Sequence, residues 1–178
     1  MVNREGVTQV RIDLPVKRIG LISDTHIPSR GKALPRRIRY VFQKVQLILH
    51  AGDIVEMSVL NELRRLAPVE AVAGNMDPAP LHICLGRKKL IRVGRVKIGL
   101  VHGDGGFGGA LERARKAFSG YDPQVIVFGH SHRPYCREEE GIWLINPGSA
   151  VDPRWEPGPS CGLLTIEGDS IQGQIIYL

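Results

Sequence analysis

Short apolar runs alternate with amphipathic stretches along most of the chain. RIGLIS, QLILHA, VEAVA, VKIGLV and QVIVF each span five or six residues rich in Val, Ile and Leu. That pattern predicts strands buried on both faces. Residues 33 to 45 predict a helix, with Pro35 near its start and Ile38, Val41, Phe42 and Val45 at core spacing. SVLNELRRLA predicts a second, capped by Ser58 with Val59, Leu63 and Leu66 facing inward. GALERARKAF predicts a third, burying Leu111, Ala114 and Phe118. The alternation places the chain in the α/β class. LIRVGRVKI reads instead as a hairpin turning at Gly94-Arg95, and LLTIEGDSIQGQIIYL as another turning near Gly168-Asp169. Mixed sheets with helices outside, in one domain over residues 1–178, are therefore expected.

The residues that end the runs carry the chemistry. RIGLIS is followed by DTH, QLILHA by GD, VEAVA by GN, VKIGLV by HGD and QVIVF by GHSH. Strand ends of an α/β sheet are where loops gather into a crevice, and a neighbouring glycine lets the backbone bend sharply. Asp24, His26, Asp53, Asn75, His102, His130 and His132 can converge there. Singly, Asp24 suits a turn, Asp53 a helix cap and Asn75 a left-handed residue. Together they read as metal ligands, since four of the chain's six histidines occupy such positions. Seven nitrogen and oxygen donors exceed the roughly four that one tetrahedral zinc takes. Two ions sharing a carboxylate fit better, a pair suited to activating water and holding phosphate oxygens.

The 178 residues suffice for a core without staples, burying roughly 70% of the unfolded surface. Cys84, Cys136 and Cys161 lack zinc or disulfide spacing and read as free thiols. No apolar run suggests a leader or a membrane span, so a cytoplasmic location is expected. Net charge is +6, and SRGKALPRRIR holds five basic residues without an acid. Its basic residues, within 30–39, suit either a phosphate-bearing ligand or the solvated face of the first helix.

DTH, GD, GNMD, HGD and GHSH, in that order, resemble the signature blocks of the calcineurin-like metallophosphoesterases. With NPGS at residues 146 to 149, the chain is similar to their small YfcE/Vps29-type branch over about residues 18–178. Residues 1–17 are then an extension or a first strand. The resemblance implies two mixed β-sheets packed as a sandwich with flanking helices, in αββα layers. It implies that Asp24, His26 and His132 hold one metal, that Asn75, His102 and His130 hold the other, and that Asp53 bridges them. Asp53, Asn75 and His130 are the implied catalytic residues. Manganese is the activating ion it points to, with Ni, Co, Fe or Zn also admitted by these donors. The implied reaction is phosphodiester hydrolysis by a metal-bridging hydroxide, on a small-molecule or nucleotide-like substrate.

There are departures from the family pattern. Met76 stands where many relatives carry a histidine able to protonate the leaving group, and a thioether cannot. Asp104 stands where HGH is common, placed either to orient a ligand or to cap the helix near Gly109. Asp77 suits support of a ligand or a turn before Pro78. His50 reads as a packed histidine, and Asn146 belongs to a turn that can face the site. A Vps29-like protein-binding scaffold and a nuclease are the competing functions. The positive charge favours a nuclease, whereas aromatics at only 6% offer no stacking platform.

Overall fold

Each sheet owes its close helix packing to one glycine beneath a phenylalanine. A Cβ at Gly20 would lie 2.9 Å from the Phe42 ring, and one at Gly99 would lie 2.7 Å from Phe118. These rings lie on the outer faces of two sheets whose inner faces meet. The computed structural model describes residues 6–13 and 15–178.

In chain order the elements are β1 (Val7–Ile12), β2 (Arg18–Ile22), α1 (Arg37–Val41), β3 (Leu47–His50) and α2 (Met57–Arg64). Then come β4 (Val69–Ala71), α3 (Ala79–Leu85), β5 (Lys88–Val93), β6 (Val96–Val101) and α4 (Ala110–Ala117). β7 (Val125–Val127), β8 (Tyr135–Glu139), β9 (Ile142–Asn146), β10 (Ser160–Glu167) and β11 (Ser170–Tyr177) complete the fold.

One sheet has the order β1-β5-β6-β7-β9-β8 and the other β11-β10-β2-β3-β4. Both are mixed. β2, β3 and β4 run parallel in one sheet, β6, β7 and β9, and separately β1 and β5, in the other, and antiparallel pairings complete both. The hairpins at Gly94-Arg95 and Gly168-Asp169 form as expected.

Alternation along the strands divides the core into layers. Ile19, Leu21, Leu47, Leu49, Ile98, Leu100, Val125 and Val127 pack between the sheets. Phe42, Ile48, Leu60 and Leu63 fill the layer under α1 and α2, and Ala114, Phe118 and Leu144 that under α4.

Two local expectations are corrected and a third is narrowed. The first helix covers only Arg37–Val41, because Pro35 accepts the earliest turn bond from Ile38 and the chain before it lacks helical pairing. Ser58 lies inside α2; Glu56, in extended conformation, occupies the cap, and the Ser58 hydroxyl turns to its carboxylate at 2.9 Å. β1 pairs in parallel with β5, so a strand occupies part of the stretch before residue 18; residues 1–5 and 14 lie outside the described residues.

Candidate metal centre

The carboxyl ends of β2, β3 and β4 in one sheet face those of β6 and β7 in the other. Each of these strands delivers one or more of the seven candidate donors to a common crevice. Asp24, His26, Asp53, His130 and His132 all adopt positive φ, between 45° and 70°. Left-handed backbone costs non-glycine residues energy and survives only where surrounding contacts over-determine it.

Backbone bonds supply part of that determination. Asp24 donates to the Gly52 carbonyl and His26 to the Asp53 carbonyl, both at 3.0 Å, tying the DTH loop to the GD loop. The His130 amide donates to Asp24 Oδ2 at 3.0 Å, and Ser23 donates to the same oxygen. Glycine is obligatory at these approaches: a Cβ at Gly74 would fall 2.2 Å from Asp53 Oδ1, and one at Gly129 would fall 1.9 Å from Ser23 Oγ.

Two donor sets emerge, each with its ligand atoms within 4.8 Å of one another: Asp24, His26 and His132, and Asp24, Asp53 and His102. Asp24 Oδ1 lies 3.4 Å from His132 Nε2, 3.8 Å from His26 Nε2 and 4.0 Å from His102 Nε2. Asp53 Oδ2 lies 3.2 Å from His102 Nε2 and 3.6 Å from His26 Nε2. Both carboxylates therefore face both sets, and each has the position a bridging group requires. Asn75 and His130 stand at the outer edge, with Asn75 Oδ1 3.1 Å from His130 Nδ1 and the His130 ring edge-on to His102 at 5.3 Å.

The chemistry of these donors fits divalent cations. His132 Nδ1 donates to the Asp152 carbonyl at 2.6 Å and His102 Nδ1 to that of Ala51 at 2.7 Å, so each ring, in its neutral form, turns the lone pair of Nε2 inward. His26 Nε2 and His132 Nε2 face each other at 3.1 Å. Among the described residues, Asp24 Oδ1 and His102 Nε2 are buried polar atoms with no hydrogen-bond partner. Inward lone pairs and buried carboxylate oxygens repel one another unless positive charge lies between them.

The same field governs protonation. Burial would raise the Asp24 carboxyl, yet the facing imidazoles of His26, His102 and His132 and the Ser23 hydroxyl hold it at about 2. Asp53 is likewise lowered, with His102 outweighing the effect of burial. Burial opposes charge on His102, but Asp53 and Asp24 raise its imidazole to about 9. Burial lowers His132 and His130, the latter helped by repulsion from His102.

Supporting residues surround these donors. Asp77 accepts the backbone N–H groups of Asp53, Ile54, Val55 and Gly74 and belongs to neither donor set. Asp104 pairs with Arg87, and the helix beginning at Ala110 is capped by Gly109 with Glu112, so the capping role considered for Asp104 is not the one it takes. Met76 is exposed and contributes its amide, donating to Asp53 Oδ1 at 2.8 Å. Asn146 is buried and braces the GHSH loop through the Gly129 carbonyl and Ser131 hydroxyl. Ser149, which no sequence signal beyond NPGS marked, donates to the Asp24 carbonyl at 2.6 Å and accepts from the Asp152 amide. Of the basic segment, Arg39 pairs with Glu62 on the helix surface, while Arg30 faces Asp152 at 3.8 Å beside the site.

Residues 18–169 match the family model of the calcineurin-like phosphoesterase superfamily domain. A probable metallophosphoesterase of Methanothermobacter thermautotrophicus is 40% identical over 158 residues, covering 89% of this chain and 91% of that protein. A second, MJ0623 of Methanocaldococcus jannaschii, is 36% identical over 159 residues, 89% of this chain and 80% of that protein. Among solved structures, Vps29 of Entamoeba histolytica complexed with zinc superposes with a TM-score of 0.72 at 25% identity, covering 89% of this chain and 98% of that one. Ordered ligand blocks, paired mixed sheets and these likenesses agree: the chain belongs to the calcineurin-like phosphoesterase superfamily.

Proposed function

We propose that the protein is a phosphodiesterase working with two divalent ions, manganese being the expected activator. The observation that carries this reading is the pair of buried carboxylates, Asp24 and Asp53, each facing imidazoles of both donor sets. Asp24, His26 and His132 hold one ion, and Asn75, His102 and His130 hold the other, with Asp53 common to both. Bound divalent ions supply an acidified water and neutralise charge on the phosphoryl oxygens.

The chain's own residues do the rest. The Asp152 and Ala51 carbonyls fix the tautomers of His132 and His102, so both rings offer nitrogen lone pairs without rotating once His102 has given up its proton. Asn75 and His130, the outermost pair, stand where a substrate enters. Met76 offers no proton to a departing oxygen, which favours diesters with acidic leaving groups over simple alkyl monoesters.

Hydrolysis of bis-p-nitrophenyl phosphate by metal-stripped protein, with and without Mn²⁺ and alongside p-nitrophenyl phosphate, tests the proposal. Manganese-dependent turnover favouring the diester supports it. Metal binding with no turnover of either ester supports the second reading, a protein-binding scaffold, which the likeness to Vps29 structures recommends.

A further inference from the structure

His50 closes β3 two residues before the GD loop, and its imidazole is fully buried. It is absent from both donor sets. Its Nδ1 accepts the Gly52 N–H at 3.2 Å, so the ring proton lies on Nε2. Nε2 lies 3.2 Å from Thr25 Oγ1, to which it therefore donates. That leaves the Thr25 hydroxyl free to donate onward, and it reaches the Asp53 carbonyl at 3.5 Å. The same carbonyl accepts the His26 amide.

Thr25 lies between Asp24 and His26, and Gly52 adjoins Asp53. One imidazole thus ties the loop carrying two donors to the loop carrying a third. All three donors have left-handed backbone, with φ of 51°, 45° and 56° for Asp24, His26 and Asp53. Loops held in such sparsely populated conformations drift when a restraint is removed. A histidine that merely filled the core would need neither a fixed tautomer nor a hydroxyl relay.

We propose that His50, acting through Thr25, is a positioning residue that sets Asp24 and His26 against Asp53 and thereby sets the affinity of the first metal site. The inference rests on the metal-binding reading of those three residues. It does not require hydrolysis.

The test is Co²⁺ binding to stripped protein, followed by calorimetry and by the visible ligand-field spectrum. Thr25→Val keeps the shape of the side chain and removes the hydroxyl; Thr25→Ser restores it; His50→Leu removes the ring. Thr25→Val and His50→Leu should each weaken Co²⁺ binding about 10- to 100-fold and alter the spectrum. Thr25→Ser should restore both to near wild type, and the double variant should be no worse than either single one. At saturating metal the KM for a diester should stay unchanged. If Thr25→Val folds and binds Co²⁺ as wild type does, the inference is overturned, even if His50→Leu fails to fold. Wild-type binding without turnover removes the phosphodiesterase reading alone; no Co²⁺ binding by wild type removes both.

Discussion

The carboxylate of Asp77 holds the backbone of Asp53 from 24 positions along the chain. Its Oδ2 accepts the amides of Asp53 at 3.1 Å and Gly74 at 2.8 Å, and its Oδ1 those of Ile54 at 2.7 Å and Val55 at 2.6 Å. Val55 is β-branched with a φ of 74°, a conformation that this carboxylate over-determines. Asp77→Asn would turn an NH₂ toward two N–H donors. It should cost about 2–4 kcal/mol, read by urea denaturation, and should impair metal binding as well.

Asp53→Asn keeps the shape of the side chain and removes the negative charge between His26 and His102. Manganese-dependent hydrolysis should fall about a thousandfold while the circular-dichroism spectrum is unchanged. Normal turnover in this variant would refute the assignment of Asp53.

Metal binding should tighten as pH rises. In the metal-free protein His102 keeps its proton up to about pH 9, and an ion must displace it. One displaced proton gives about a tenfold gain in affinity per pH unit below that value. Stability of the metal-free chain runs the other way: the folded value of about 9 exceeds the ordinary 6.5, so this contribution is full below 6.5 and lost as pH passes 9. Mn²⁺ titrations and thermal melts across pH 6.5–9 read both slopes.

Asp104 spends its charge on Arg87. Asp104→Ala should change turnover by less than about tenfold, a loss in line with a partly exposed ion pair. His102→Ala should abolish turnover under the same assay.

Gly129→Ala would place a methyl group 1.9 Å from Ser23 Oγ and 2.7 Å from Asp24 Oδ2. Overpacking of that kind costs about 1–3 kcal/mol. Because one of the crowded atoms belongs to Asp24, a candidate ligand, Co²⁺ affinity should fall along with the melting temperature.

Much of this was legible in the chain itself. The five apolar runs became β2, β3, β4, β6 and β7, and the donors that end them converge. Period and punctuation report such features because they are local. Less legible was α3, whose segment PAPLHICL begins among prolines and lacks a polar cap. The β8–β9 hairpin was hidden by the run REEE, whose charges point outward from an edge strand. Asp77 and Asn146 stood out by position, but the partners of their ties, and of those made by Ser149, were not legible. They join side chains to backbone amides and carbonyls remote in sequence, and no spacing rule encodes those.

The left-handed ligand loops are held by the protein's own hydrogen bonds, from Asp77, Ser149 and the paired backbone of residues 24–26 and 52–53. Such a cradle takes its shape from the chain's own bonds, so different ions meet the same set of donors. Imidazole, carboxylate and amide donors discriminate weakly among first-row divalent metals. The metal carried by a purified sample is therefore a record of the medium it came from, and identifying the working ion calls for loading the stripped protein with each metal in turn.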